Sequence, residues 1–358
     1  MILLSKKPIS SILLAVGLTS VSNCAANTPV NAPVVQANAI AQRLVQQAAP
    51  KPNNPQFGQP IDCTLGKDCF VMLYFDRDPG PAAVDFGCGR QTYNGHDGTD
   101  FAIPDEKIMA QGVPVIASAA GKVLRARDGV ADRRLQTSTD KANIEGIECG
   151  NGMVIDHGNG WEAQYCHLRK GSLVVKPGMQ VAKGTKLGLV GTSGMTSFPH
   201  VHVTFRYQGK AVDPFVGTDA KSGCNTARNP IWDKPIDYIS TGLIRAGFAP
   251  KPPDIEAVWQ GQFSETKLPA NSPALLFWVQ SYGVLAGDRE HYKLFDPNGQ
   301  IVADRANEIK APSRTWLGYL GKRNNPNSPL TSGVWRAEYR LTRGDRVLTN
   351  ITREVELR

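Results

Sequence analysis

Apolar and polar residues alternate at period two in short runs along most of the chain, which predicts strands and little helix. Between Phe86 and Phe215 these runs are "VPVIASAAGKVLRA", "GMVIDHGNGWEAQYCHL" and "GSLVVKPGMQVAKGTKLGLVGTSG", separated by glycine turns. "DHGNGW" is a hairpin signal, with its turn placed at His157 and Gly158. The polar segment "ARDGVADRRLQTSTDKANIEGIE", 126–148, interrupts the pattern and reads as a long exposed loop. After the prolines of "IRAGFAPKPPD" the alternation resumes in "PALLFWVQSYGV", "EHYKLFDPNGQIVAD", "RTWLGYLGK" and "GVWRAEYRLTRGDRVLTN". About a hundred residues of short strands of this kind suggest a β-sandwich, immunoglobulin-like in character. The predicted class is therefore mainly β: a small antiparallel sheet domain at 61–245 (core 85–215), a Pro-rich linker at 246–253 and a β-sandwich at 254–358.

The first sixty residues differ. Lys6 and Lys7 precede the apolar run "ISSILLAVGL" and then small and polar residues, the order of a secretory signal over 1–26. That run is too short to cross a bilayer comfortably, and no later segment is long and apolar enough, so no transmembrane helix is expected. Residues 27–60, rich in Ala, Asn, Pro and Gln, read as a disordered tether. Together these imply export to the periplasm or the extracellular space. Cys24 is a candidate lipid anchor, although Asn23 before it departs from the small residue that lipoprotein processing favours. The formal net charge of +8 suits an anionic partner such as a wall polymer or membrane surface. No Lys/Arg run or aromatic-basic module argues for nucleic acid.

Seven cysteines leave six beyond Cys24, an even number in an oxidising compartment. A turn at His157–Gly158 places Cys149 and Cys166 at equal distance from it on facing strands, which predicts that pair. Cys63–Cys69 closes a short loop, and Cys88–Cys224 remains by elimination.

Chemistry concentrates in the histidines. "SFPHVHVTFR" carries His200 and His202 on one face of a strand, since residues i and i+2 point the same way. "GHDGTD" holds His96 and Asp100; fully extended they would lie about 13 Å apart, so the chain must fold back for both to reach one metal, and Gly95 and Gly98 allow it. "QYCHL" adds His167. Imidazole and carboxylate are the nitrogen and oxygen ligands of zinc. A lone His-x-His is more often packing or surface than metal; its occurrence with His96, Asp100, His167 and glycine hinges reverses that balance. His157 reads as an exposed turn residue and His291 as a surface strand residue. The glycine-rich segment ending in "GTSG" lacks the Gly-Lys-Ser/Thr of a phosphate loop.

"GHDGTDFAIP", "VIASAAGKVL", "GNGMVIDHGNGWEAQYCHL", "VKPGMQVAKGTKLGLVGTSG" and "PHVHVTF" follow one another as in the lysostaphin-type (LytM-like) zinc metalloendopeptidases, and residues 85–215 resemble that family. The resemblance implies a small antiparallel sheet flooring a groove, one zinc ion held by His96, Asp100 and His202, and catalytic assistance from His167 and His200. It implies hydrolysis of peptide cross-bridges in bacterial peptidoglycan. The 126–148 insertion, the cysteines and the C-terminal domain are extra to the family pattern. Two other readings stand beside it: a protease of the same fold acting on proteins, and an inactive metal-bearing module that binds wall material or a partner hydrolase.

Overall fold

The computed structural model describes residues 56–135, 140, 142, 144–218 and 220–358. The expected signal, the lipid-anchor position and most of the tether lie outside the described residues.

The first sheet runs β1 (Phe70–Leu73), β2 (Thr99–Ala102), β9 (His200–Tyr207), β6 (Trp161–Leu168), β5 (Asn151–Gly158), β4 (Gly121–Arg127) and β7 (Gln180–Val181), with β10 (Lys210–Val212) also on β9. All its pairings are antiparallel. β3 (Pro114–Ile116) and β8 (Lys186–Leu189) form a separate ribbon. β9 is buried on both faces for its first six residues. Strand alternation sends Val201, Val203 and Phe205 into the main core, where each is fully buried, and leaves His200, His202 and Thr204 on the opposite face.

Phe57 is fully buried in that core, its ring 4.6 Å from Phe205 and 5.4 Å from Trp161. The ordered fold therefore includes part of the stretch read as tether up to 60, because an aromatic side chain there has a core to fill. The three expected disulfides, Cys63–Cys69, Cys88–Cys224 and Cys149–Cys166, are all formed.

The hairpin turn sits two residues beyond its expected place. Gly158 pairs with Trp161, so Asn159 and Gly160 turn the chain, both at positive φ as a type I′ turn requires. His157 accordingly belongs to β5 and is not an exposed turn residue: its Nδ1–H donates to the Ala120 carbonyl at 2.9 Å and its ring meets Phe57 edge-on. His291 lies on the surface beside Asp304, as expected.

The inserted segment is not a free loop at its N-terminal end. Arg133 and Leu135 donate backbone hydrogen bonds to Thr192 and Thr196, and the Asp132 carboxylate accepts from the Thr192 and Lys170 amides. Arg134, 6% exposed, is paired with Glu106 of α1 (Glu106–Gln111) and Glu256 of α2 (Ile255–Trp259). Residues 130–135 thus brace the 192–196 loop.

Two further sheets follow: β11 (Gly242–Ala249), β13 (Ala274–Val284) and β16 (Ser313–Arg323) in one, and β12 (Lys267–Leu268), β18 (Arg346–Leu357), β17 (Gly333–Arg343), β14 (Arg289–Phe295) and β15 (Ile301–Glu308) in the other. Phe248 and Phe277 from the first meet Tyr292, Trp335 and Tyr339 from the second in one core, so the two sheets form a sandwich. Residues 246–249 of the expected linker are strand in β11. The sandwich is packed directly on the first sheet: Tyr282 stacks on Phe70 at 5.1 Å and Trp259 on Phe198 at 5.9 Å.

Candidate metal centre

β2 and β9 pair with Asp100 opposite His202, which brings the carboxylate of one strand to the imidazole of the next. His96 arrives from the loop before β2, where Gly95 at φ +79° permits the fold-back. Three donor atoms converge: His96 Nε2 lies 3.1 Å from Asp100 Oδ1 and 3.1 Å from His202 Nδ1, and the last two are 2.9 Å apart. Donors of a tetrahedral site, about 2.0–2.2 Å from the ion, sit roughly 3.3–3.6 Å from one another. A divalent cation fits with a few tenths of an ångström of relaxation.

The second nitrogen of each imidazole is already committed. His96 Nδ1–H donates to the Tyr74 carbonyl at 2.6 Å, which leaves Nε2 as the lone pair facing inward. His202 Nε2 meets Thr204 Oγ1 at 3.0 Å and Asp97 Oδ1 at 3.4 Å, while Arg206 holds Asp97 at 3.2 Å. Such outer partners fix the tautomer and orientation of a metal-binding histidine. Burial alone would lower the His202 pKa, but hydrogen bonds and charge from Asp100 and Asp97 lift it to about 9. Burial would likewise raise Asp100, yet His200, His96 and His202 hold it well below the usual carboxylate range. The cluster demands a positive charge among its donors, which a proton or a metal ion supplies.

His167 and His200 flank this set. Their rings are 4.7 Å apart, and His200 Nε2 is 3.5 Å from Asp100 Oδ1. His167 Nδ1–H donates to the Ser193 carbonyl and His200 Nδ1–H to the Phe198 carbonyl, both at 2.8 Å, so each turns Nε2 away from its anchoring backbone. Burial lowers the pKa of both, well below the ordinary value for His167, where His200 and His202 add repulsion. His167 has φ +65°, a left-handed conformation unusual for this residue and held here by the neighbouring Cys149–Cys166 bridge and by His167 N–H donating to the Cys149 carbonyl. The bonds from Leu135 and Arg133 to the 192–196 loop fix Ser193 and Thr196, which anchor the two imidazoles.

The structure thus brings together all five sequence-predicted site residues. Asp100, His167, His200 and His202 line a cleft of about 660 Å³ whose walls include Tyr93, Leu135, Met195 and Phe198. Asp97, Thr204 and Arg206 were not among the predicted residues. Asp97 lies inside the quoted "GHDGTD", and Thr204 and Arg206 continue the His200/His202 face of β9, so period two could have found them. Arg314 and Thr315 also line the cleft, from the sandwich, and no local pattern marks them. Cys63, Asp68 and Cys69 form a second group of metal-type side chains, but the cysteines are bonded to each other and offer no thiolate.

Residues 94–214 match the sequence profile of Peptidase family M23. Peptidoglycan DD-endopeptidase ShyA of Vibrio cholerae is 33% identical over 118 residues, 33% of this chain and 22% of that protein. DD-carboxypeptidase/endopeptidase Mpg of Neisseria meningitidis is 33% identical over 123 residues, 34% of this chain and 23% of that protein. The chain therefore spans under a quarter of the length of these relatives. Among solved structures, a zinc-containing peptidase from Vibrio cholerae is 27% identical and covers 45% of this chain and 39% of its own, with a TM-score of 0.31. The catalytic domain of lysostaphin from Staphylococcus simulans is 24% identical, covering 39% of this chain and 86% of its own, with a TM-score of 0.26.

Proposed function

We propose, from the match of residues 94–214 to Peptidase family M23, that the chain is an exported zinc metalloendopeptidase hydrolysing peptide cross-bridges of bacterial peptidoglycan. The observation that carries this reading is the convergence of His96 Nε2, Asp100 Oδ1 and His202 Nδ1 within hydrogen-bonding distance of one another, beside two further imidazoles in an open cleft. Two neutral imidazoles and a carboxylate are the ligand count of a catalytic zinc site rather than a closed structural one. The substrate class rests on the relatives named as peptidoglycan endopeptidases, and export on the basic start and short apolar run at 1–26.

In this reading His96, Asp100 and His202 hold one zinc ion, which when bound makes water nucleophilic near neutral pH and polarises a carbonyl. The chain's own residues do the rest. One of His167 and His200, both neutral through burial, takes up the proton of the attacking water at Nε2 and, once protonated, passes it to the leaving amine, with the other ring 4.7 Å away lining the same reacting centre. Phe198, Met195 and Leu135 give the cleft an apolar wall that limits water around the scissile bond. The peptidase unit extends to about residue 241 and the accessory sandwich begins at Gly242.

Digestion of purified, cross-linked wall material with and without a chelator tests this. Chelator-sensitive release of new amino groups, assigned to bonds by mass spectrometry, is the expected result. Binding without release identifies an inactive module instead, and cleavage of proteins but not of wall identifies a general protease.

A further inference from the structure

Arg314 occupies the second position of β16, set in place by the β13–β16 ladder through Val284–Ser313 and Tyr282–Thr315. β13 is fixed against the first sheet by the Tyr282–Phe70 stack. Arg314 is exposed, and among the described residues it has no hydrogen-bond or ion-pair partner. Arg314 and Tyr93 line the metal cleft together. Tyr93 in turn lies 4.6 Å, ring to ring, from His96. A residue of the sandwich thus stands at the rim of the metal cleft.

Arg314 and Thr315 also line a second groove, of about 620 Å³. Residues 87–91 of the 85–91 loop, Arg90 among them, line it as well. That loop is stiff: the buried Asp85 carboxylate accepts from the amides of Gly87, Gly89 and Gln91 and from the Tyr238 hydroxyl, and Cys88 is bridged to Cys224. Arg90 is exposed and, like Arg314, has no hydrogen-bond or ion-pair partner among the described residues. The third arginine of the groove, Arg343, is neutralised by Asp288. Two unpaired guanidinium groups therefore line a groove that shares Arg314 and Thr315 with the cleft, one from each unit of the fold. A guanidinium fork is shaped for bidentate carboxylate recognition.

We propose that this groove is a substrate subsite that binds a carboxylate on the peptide being cleaved, with Arg90 and Arg314 as its anchors and the sandwich as part of the substrate-binding surface. The carboxylate is that of a cross-linked wall peptide, so the assignment of ligand rests on the peptidase reading given above. The groove's charge and the residues it shares with the cleft do not.

The test uses the full chain loaded with metal and two synthetic cross-linked peptides, one with free carboxylates and its amidated twin. Arg314→Ala and Arg90→Ala should each raise KM for the free-carboxylate peptide about tenfold, the lower end for a lost charge-assisted hydrogen bond. Their kcat, metal content and KM for the amidated peptide should match the parent, and Arg314→Lys should recover part of the loss. Calorimetric binding of the carboxylate-bearing product peptide is measured alongside and needs no turnover. If the chain hydrolyses neither peptide, the endopeptidase reading fails while this binding arm still decides the subsite. Equal affinity of the parent and both alanine variants for the acidic peptide overturns the proposal. Equal weakening of acidic and amidated peptides also overturns it, because the arginines would then support structure rather than read a charge.

Discussion

Gly98 leaves the space that the His202 ring fills: a Cβ on Gly98 would lie 2.6 Å from the ring and 2.6 Å from the Val203 carbonyl. Gly98 and His202 thus depend on each other sterically, one being absent so that the other can reach Asp100. Gly98→Ala must displace β9 or rotate His202, and the donor set opens in either case. We expect at least a tenfold loss of metal affinity with the sheet retained, read by metal analysis after dialysis beside circular dichroism. A variant that keeps its metal would show that His202 has slack the packing does not suggest.

The Cys149–Cys166 bridge braces the strand end that carries His167. A bridge closing a loop of this size contributes about 3 kcal/mol through the unfolded chain. Replacing both cysteines by serine should lower stability by that order in urea titration. It should also reduce turnover while metal stoichiometry stays near the parent's, because His167 loses the restraint on its left-handed backbone and no metal donor is touched. Unchanged turnover would mean that the backbone bond from His167 to Cys149 suffices alone.

How much of this was readable beforehand differs from element to element. The His200/His202 face of β9 was legible because period two needs no knowledge of neighbours. The hairpin was legible but its turn was not, since "HGNG" offers two glycine turns and only strand twist selects Asn159–Gly160. The Cys149–Cys166 bridge forms although the turn lies two residues beyond its predicted place. Bulges near Asn151 and Gly158 shift the β5–β6 ladder, and Cys149, outside β5, reaches Cys166 beside the bond from His167 to its carbonyl. The anchoring of 130–135 was hidden because it uses Asp132, Arg134 and backbone groups in polar sequence, which look the same whether solvated or paired. Arg314 reaches the cleft through the packing of two sheets, and no spacing in the chain encodes that.

Asp213 supplies a pH dependence away from the metal. Burial pushes its carboxyl up to about 7, opposed by the Phe215 amide and by Arg77 at 3.7 Å. The folded state then keeps a proton that the unfolded chain releases near pH 4. This group's contribution to stability is therefore greatest below about pH 4, falls as pH rises towards 7 and is flat above. Asp213→Asn should remove that slope and gain on the order of a few kcal/mol relative to the parent at pH 8, by urea unfolding at pH 5 and pH 8. Parallel pH profiles for the two proteins would contradict the assignment.

Arg134 ties the inserted segment to α1 and α2. Arg134→Ala leaves Glu106 and Glu256 without that partner and frees the segment that holds the 192–196 loop. We expect faster amide hydrogen exchange at Leu135 and Thr196 and lower turnover with metal content unchanged. Parent-like exchange at Leu135 would show that the backbone bonds to Thr192 and Thr196 hold the segment without the ion pairs.

Metal stoichiometry beside wall digestion tests most directly whether the five residues divide into a metal set and a proton-handling pair. His202→Ala should lose zinc and activity together, since the remaining His96 and Asp100 are too few to retain the ion. His200→Ala and His167→Ala should each keep close to one zinc per chain and lose most turnover, because transition-state partners go while the donors stay. If His200→Ala proves as metal-free as His202→Ala, the division is wrong.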